Sequence, residues 1–260
     1  MSLDPAPARP AAELPKGSSD DYALFLDFDG TLVELAPRPQ DVVVAPGLGV
    51  TLETLRDRFG GALALVSGRP IATLDEFLAP HRFDAAGLHG VEMRRSGVFA
   101  ARATDHEPEL RELVDRFRGF VEPRPGLLLE DKGRSVALHW RLAPDLESEV
   151  VEEAAAALES LGSRWRLQAG KSVLEILPAF ATKAGAVQEF LEAEPYRGRR
   201  PVFVGDDVTD EHGFEAVLER GGLAIRIGEG PTVAPLRLPS PAAFREQLAR
   251  WAQGEPIAAG

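Results

Sequence analysis

The chain contains no cysteine, which excludes a disulfide scaffold, a thiolate zinc site and a cysteine nucleophile together. It also lacks any run of the roughly 18–20 apolar residues that a membrane span needs. Positive charge is short: 29 Lys and Arg against 41 Asp and Glu leave a net charge of −12. Nucleic-acid affinity rests on basic side chains neutralising phosphates, so this balance argues against a nucleic-acid partner. Repeats, blocks of like charge and heptads are absent as well. The first twenty residues have no apolar stretch of the kind a secretory signal carries. Their four prolines and several alanines read as a flexible leader, residues 1–20. These absences lead us to expect a soluble, cytoplasmic protein that does not associate with membranes.

What is present is the material of a real core. The chain has 260 residues and is 44% hydrophobic, enough for one large domain or two modest ones. Short unbroken apolar runs at residues 22–28, 61–66, 201–204 and 223–227 end in turn residues or acids. Such runs suit strands buried on both faces, as in parallel sheets. Helical spacing lies between them, with Leu48, Leu52, Leu55 and Phe59 in one stretch and Val187, Phe190 and Leu191 in another. Strand–helix alternation of this kind predicts an open, doubly wound, mostly parallel α/β sheet.

Residues 104–178 read differently. Leu110, Leu113, Val114 and Phe117 mark one helix over 109–120, and Leu146, Val150, Ala154, Leu158 and Leu161 mark another over 145–161, with Gly162 placed to end it. Strand pairs are predicted at 127–132 with 134–142, and at 164–168 with 172–177. Val136, Leu138, Trp140 and Leu142 alternate with Ser135, Ala137, His139 and Arg141, the pattern of a sheet with one wet face. The spacing therefore predicts a small α+β domain, 104–178, inserted into a larger α/β core formed by 21–103 and 179–255.

Chemistry-bearing residues gather where the core strands end. Asp27 and Asp29 follow the first strand, and residues two apart in an extended chain leave it on the same side. Paired carboxylates can divide labour between nucleophile or metal ligand and acid/base. Ser67 ends the second strand, Lys183 opens a helix after Pro178, and Asp206, Asp207 and Asp210 follow the third. Ligands of open α/β sheets bind beyond the carboxyl ends of strands. Hard oxygen donors without clustered His or Cys select Mg²⁺ over zinc. A carboxylate cluster, a hydroxyl, a lysine and Mg²⁺ together describe phosphoryl transfer. Each feature alone has an ordinary explanation, since Asp and Gly are common turn residues, a lone serine is a helix cap and a lone lysine a surface charge. Their joint occurrence carries the inference.

Asp27–Leu32 (DFDGTL), Ser67–Arg69 (SGR), Lys183 and Gly205–Glu211 (GDDVTDE) resemble the four motifs of the haloacid dehalogenase (HAD) superfamily. Within it, Gly87–Glu92 (GLHGVE), Glu130–Arg141 (EDKGRSVALHWR) and Lys171–Pro178 (KSVLEILP) are similar to trehalose-6-phosphate phosphatases. The resemblance runs from about Tyr22 to Trp251. One departure stands out: the third motif usually reads Asn-Lys-Gly, and here it is Thr182-Lys183-Ala184-Gly185.

The resemblance implies a Mg²⁺-dependent hydrolysis of trehalose 6-phosphate through an aspartyl-phosphate. Asp27 would be the nucleophile and Asp29 the acid/base. Mg²⁺ would bind the Asp27 carboxylate, the Asp29 backbone carbonyl and Asp206. Ser67, Gly68 and Lys183 would hold the phosphoryl group, and Asp207 and Asp210 would orient the metal or its waters. The inserted domain would be a cap that selects the sugar through Glu130, Lys132, Lys171 and Glu175, with Arg69 at the site or pinning the cap. Without the resemblance, the Glu130–Lys132 and Lys171–Glu175 sets read equally well as exposed cross-strand ion pairs. His89, His139 and Arg141 are structural or site residues on the same terms. The alternatives are a HAD phosphatase for another sugar phosphate, such as sucrose phosphate or mannosylphosphoglycerate, and a catalytically silent partner of a trehalose-phosphate synthase. For the active enzyme, such a synthase would be a separate chain.

Overall fold

The computed structural model describes residues 21–101 and 107–255. The leader expected at 1–20 and the expected domain boundary at 103–104 lie outside the described residues. The first strand, β1 (Tyr22–Leu26), is buried along its whole length. Its neighbours are β2 (Leu63–Val66) on one side and β10 (Arg200–Gly205) on the other, both parallel to it. Outward from β2 follow β3 (Asp84–Gly87), β4 (Glu92–Arg95) and β5 (Val98–Ala101); outward from β10 follow β11 (Leu223–Ile227) and β12 (Leu236–Leu238). The eight-stranded sheet is parallel from β12 to β3, and β4 and β5 add an antiparallel edge.

Alternation along β1 explains why the sheet is covered twice. Tyr22, Leu24 and Leu26 face helices α1 (Leu48–Arg58), α2 (Ile71–Leu78) and α7 (Pro241–Ala252), where Leu52, Leu74 and Phe244 meet them. Ala23 and Phe25 face the other way, onto Val187 and Phe190 of α5 (Lys183–Leu191) and Phe214 of α6 (Glu211–Leu218). A strand buried on both faces must be apolar at every position, and YALFL is. The chain leaves β1 toward β2 and later returns to β1's other side as β10. That reversal places a crevice at the carboxyl end of β1.

The second sheet is separate and antiparallel, in the order β6 (Leu128–Asp131), β7 (Val136–His139), β9 (Val173–Pro178), β8 (Trp165–Gly170). Helices α3 (Glu107–Val121) and α4 (Glu147–Leu161) cover one face of it. Leu113, Phe117, Val150 and Ala154 pack there on Val136, Leu138, Trp140 and Ile176, and each large side chain so buried contributes about 1.5–3 kcal/mol. The apolar half of the alternation in 135–142 thus builds the cap core, except that Leu142 is exposed. The expected wet face is only partly wet: Ser135 and Ala137 are fully buried and His139 and Arg141 half-buried, because this face lies over the crevice at the end of β1. Among the described residues no helix is long and apolar enough to cross a membrane.

Candidate active site

Core and cap enclose a cleft of about 950 Å³, open solvent included, lined by Asp27, Asp29, Ser67, Lys183 and Asp206 from below and by Glu130, Lys132, Lys171 and Glu175 from the cap. Gly68, Arg69 and Asp207 also line it. Asp210 lies directly behind, fully buried. The structure thus brings all the sequence-predicted site residues to one place.

Asp27 follows β1 and is held there by its N–H on the Val204 carbonyl, 2.9 Å away. Its Oδ1 accepts from Lys183 Nζ at 2.7 Å, and its Oδ2 takes a longer bond from the Thr31 hydroxyl, 3.2 Å. Lys183 Nζ also donates to Asp210 Oδ1 at 2.6 Å. Asp210 Oδ2 in turn accepts from the backbone N–H groups of Asp206 (3.0 Å) and Asp207 (2.9 Å). Asp210 therefore ties the lysine to the loop after β10. Arg226 of β11 braces that loop from outside, donating to the Asp207 carbonyl at 3.0 Å and to Glu211 at 3.1 Å. Thr182 caps α5 by accepting from the Gly185 N–H at 2.9 Å. This cap fixes the start of the helix that Lys183 opens.

Carboxylate oxygens of Asp27, Asp206 and Asp210 lie within 4.8 Å of one another. Burial, with the neighbouring Asp210 and Asp206, drives the Asp27 carboxyl well above the usual range against the pull of Lys183. Burial likewise pushes Asp206 up to about 6 despite the Lys171 ammonium on it, with Asp210 and Asp207 adding to the rise. Burial opposes charge on Lys183, yet Asp210 and Asp27 outweigh it and hold the ammonium protonated. Gly30 permits the crowding: it sits at φ +75°, and a Cβ there would fall 2.2 Å from Asp206 Oδ2.

Asp29 turns away from this cluster. Arg69 grips it bidentately, Nε to Oδ2 at 2.6 Å and Nη2 to Oδ1 at 2.7 Å, and also donates to the Pro39 carbonyl at 2.9 Å. The guanidinium lies 4.9 Å over the Phe77 ring. Arg69 is thus bound to the core and to Asp29 through Nε and Nη2, and it lines the cleft. Ser67 Oγ accepts from the Arg69 N–H at 3.1 Å. The turn after β3 holds the same loop, with Leu88 N–H on the Arg69 carbonyl and His89 N–H on the Ser67 carbonyl, each 3.0 Å.

The cap pairs are not those expected from spacing. Lys171 lies in the turn after β8, off the strand that carries Glu175, and reaches Asp206 through its side-chain carboxylate and its backbone carbonyl. Glu175 faces away from the cap helices; it takes Lys132 at 2.7 Å, Ser135 Oγ at 2.5 Å and His89 of the core at 3.4 Å. Glu130 pairs with His139 at 2.8 Å. The Glu175 carboxyl is buried rather than exposed, and burial opposes its charge. Lys132 and His89 outweigh that cost and hold it far below the carboxylate range. Burial likewise opposes charge on Glu130, and His139 with Lys132 reverses the sign.

Beside His89 on Glu175 and Lys171 on Asp206, further contacts join cap to core: Lys132 Nζ to the Gly68 carbonyl (3.0 Å) and Arg141 Nη1 to the Ala36 carbonyl (2.6 Å). The sequence reading missed Thr31 as a partner of Asp27, although it stands inside the first motif four residues on. It left His89 and Arg141 undecided, because nothing local tells which sheet face will meet the other domain.

The trehalose-phosphatase family profile matches residues 25–241. The chain is 46% identical over 212 residues to a probable trehalose-phosphate phosphatase of Sinorhizobium fredii, covering 80% of this chain and 78% of that one. It is 39% identical over 231 residues to the trehalose-6-phosphate phosphatase of Escherichia coli, covering 88% and 85%. Among solved structures, a trehalose-6-phosphate phosphatase related protein superposes with a TM-score of 0.74 at 26% identity, over 89% of this chain and 97% of the other.

Proposed function

The chain belongs to the trehalose-phosphatase family, and from that premise we propose that it hydrolyses trehalose 6-phosphate to trehalose and inorganic phosphate in the cleft between core and cap. It is a phosphoric monoester hydrolase with the HAD fold. The observation that carries the reading is the buried Asp27–Lys183–Asp210 chain beside Asp206 at the carboxyl ends of β1 and β10.

The donor set fits a hard divalent cation. Three carboxylates crowd together with no histidine or thiolate among them, and burial, with the neighbouring acids adding to it, raises the Asp27 and Asp206 carboxyls, a cost that a bound cation would relieve. Asp210 spends both oxygens on Lys183 and two backbone amides. Asp27 and Asp206, with the Asp29 backbone carbonyl, are then the groups to hold Mg²⁺. Bound there, Mg²⁺ supplies positive charge against the phosphoryl oxygens.

The remaining steps belong to the chain. Asp27 attacks phosphorus in line; an oxygen–phosphorus bond forms on its carboxylate as the bond to the sugar oxygen breaks. Asp29 protonates the departing sugar oxygen, then takes a proton from the water that attacks the aspartyl-phosphate. Phosphate leaves and the Asp27 carboxylate is restored. Lys183, Ser67 and the Gly68 loop hold the phosphoryl oxygens, and Asp210 and Asp207 fix the loop that carries Asp206. Arg69 fixes the Asp29 carboxylate between turnovers, and acid/base work requires that grip to loosen. Glu130, Lys132 and Glu175 offer donors and acceptors to sugar hydroxyls, and Lys171 closes the cap over Asp206. A separate synthase that makes the phosphorylated disaccharide would supply the substrate.

The test is phosphate release from trehalose 6-phosphate, sucrose 6-phosphate, glucose 6-phosphate and a small aryl phosphate, with and without Mg²⁺. We expect the highest kcat/KM on trehalose 6-phosphate and none in EDTA. A rate on trehalose 6-phosphate no better than on glucose 6-phosphate overturns the substrate assignment. Full activity without metal overturns the mechanism.

A further inference from the structure

Six permanent cations line the cleft, and five of them are already engaged with protein. Arg69 holds Asp29, Lys132 holds Glu175, Lys171 holds Asp206, Lys183 holds Asp27 and Asp210, and Arg141 holds two backbone carbonyls. The Arg38 side chain lines the cleft with no hydrogen bond or ion pair among the described residues. It is also exposed, whereas Asp27, Ser67 and Lys183 on the floor are buried. Arg38 therefore stands at the mouth.

The backbone beneath it is fixed. Pro37 and Pro39 flank it, and a residue before proline is confined to extended conformations; Arg38 sits at φ −125°, ψ 148°. On one side the Ala36 carbonyl accepts from Arg141 of the cap, and on the other the Pro39 carbonyl accepts from Arg69. A donor on a pinned loop adds no backbone-ordering cost to that of its own side chain on binding. Leu35, Pro37, Pro39, Val42 and Val173 make its surroundings at the cleft largely apolar. Carbon faces with hydroxyl oxygens between them match that surface, and a second phosphate does not.

We propose that Arg38 is a specificity-determining residue, whose guanidinium donates hydrogen bonds to hydroxyl oxygens of the sugar leaving group at the cleft mouth. The proposal rests on the sugar-phosphatase reading above and adds a contact that neither the motifs nor the cap pairs include. Five N–H donors in a planar fork suit several hydroxyl acceptors at once, and a lysine ammonium reproduces only part of that geometry.

The experiment compares the full chain with Arg38→Ala and Arg38→Lys, in Mg²⁺, on trehalose 6-phosphate and on a small aryl phosphate, with inhibition by inorganic phosphate and by trehalose. KM for trehalose 6-phosphate should rise roughly 5–30-fold in Arg38→Ala, the lower range for a hydrogen bond to a charged group because the rim is wet. Its kcat should stay within about twofold, as expected for binding shared by ground and transition states. Arg38→Lys should recover part of the loss, trehalose should inhibit Arg38→Ala less, and inhibition by phosphate and the aryl phosphate kinetics should not move. An unchanged KM on trehalose 6-phosphate overturns the proposal. Equal losses on the aryl phosphate and in phosphate inhibition place Arg38 on the phosphoryl group and overturn it too, as does a lowered Tm that accounts for the loss. If the parent protein shows no preference for trehalose 6-phosphate, the substrate reading has failed by itself. Arg38 is then judged on the best sugar phosphate against the aryl phosphate.

Discussion

Two clusters of buried carboxylates face each other across the cleft, and their acidities move in opposite directions. On the core side Asp27 and Asp206 are pushed up, because burial and three crowded acids outweigh Lys183 and Lys171. On the cap side Glu175 and Glu130 are held down, because Lys132, His89 and His139 more than repay the cost of burial. The cap cluster is closed by hydrogen bonds, with Glu175 met by Lys132, Ser135 and His89 and Glu130 by His139, and it works as structure and as a template for hydroxyls. The core cluster carries unbalanced negative charge, which is where a divalent cation gains most. Burial is common to both; in the core neighbouring acids add to its effect, and in the cap close hydrogen-bond donors outweigh it.

The contrast predicts where chemistry fails first. Asp27→Asn removes the nucleophile while leaving the neighbouring acids, and turnover should fall by at least about 10⁴-fold, the scale on which loss of a nucleophile is felt. Acid-quench trapping of labelled phosphoenzyme should succeed with the parent and fail with the variant. Normal turnover in Asp27→Asn would remove the core cluster from the chemistry altogether. Asp29→Asn comes next, with a loss of about 10²–10⁴-fold. Because Asp29 acts on the leaving oxygen, the deficit should shrink on an aryl phosphate whose leaving group needs no proton. An equal deficit on both substrates would put the weight of Asp29 on the water step, and no deficit on either would make it a partner for Arg69 and nothing more.

What could be read from sequence follows from the same distinction between local and distant causes. Strands β1, β2, β10 and β11 are buried on both faces, so their apolar runs and the acids that end them announce both sheet and site. Asp27, Asp29, Ser67 and Asp206 stand at such strand ends and Lys183 opens a helix, and one cleft is lined by all five. Strand β4 hid because Arg94 sits inside it, buried only by virtue of a bidentate pair with Asp75 at 2.7 Å and bonds to the Phe83 carbonyl. Strand β3, DAAG, has no β-branched residue to signal it. Partner choice was the least legible. Lys171 meets Asp206 across 35 residues and Lys132 meets Glu175 across 43. Those pairs depend on strand register and on how the cap sits, which spacing within one strand does not encode.

Breaking the closed cluster should cost stability before it costs chemistry. Glu175→Gln leaves Lys132 buried without its carboxylate, a loss of about 3 kcal/mol at pH 7 on the scale of broken buried pairs. The folded-state acidity of Glu175 lies below its ordinary value of 4.5. Its contribution is therefore complete above that value and is lost as the pH falls below it. Urea midpoints should accordingly fall for the parent below about pH 5, and this acid limb should flatten in Glu175→Gln. Parallel acid limbs in the two proteins would mean that Glu175 titrates normally and that the cap cluster is not closed.

The gentlest probe of the comparison is the metal itself, read by thermal melting rather than turnover. A ligand that binds only the folded state at about 100 times its Kd adds about 2.7 kcal/mol, or roughly 5–10 °C for a chain of this size. Mg²⁺ should raise the parent's Tm by about that much or less, and the rise should survive in Glu175→Gln, whose defect lies on the other side of the cleft. It should disappear in Asp206→Asn, which removes a charged ligand and leaves Lys171 only a neutral amide oxygen and a backbone carbonyl to hold. Asp206→Asn also relieves repulsion among the acids, so without Mg²⁺ it should melt no lower than the parent. A neutralised acid that is harmless without metal and fatal to the metal's effect is the signature of excess negative charge kept for a cation. Equal Mg²⁺ shifts in Asp206→Asn and the parent would place the ion elsewhere, and the raised acids of the core would then have only the two lysines to answer them.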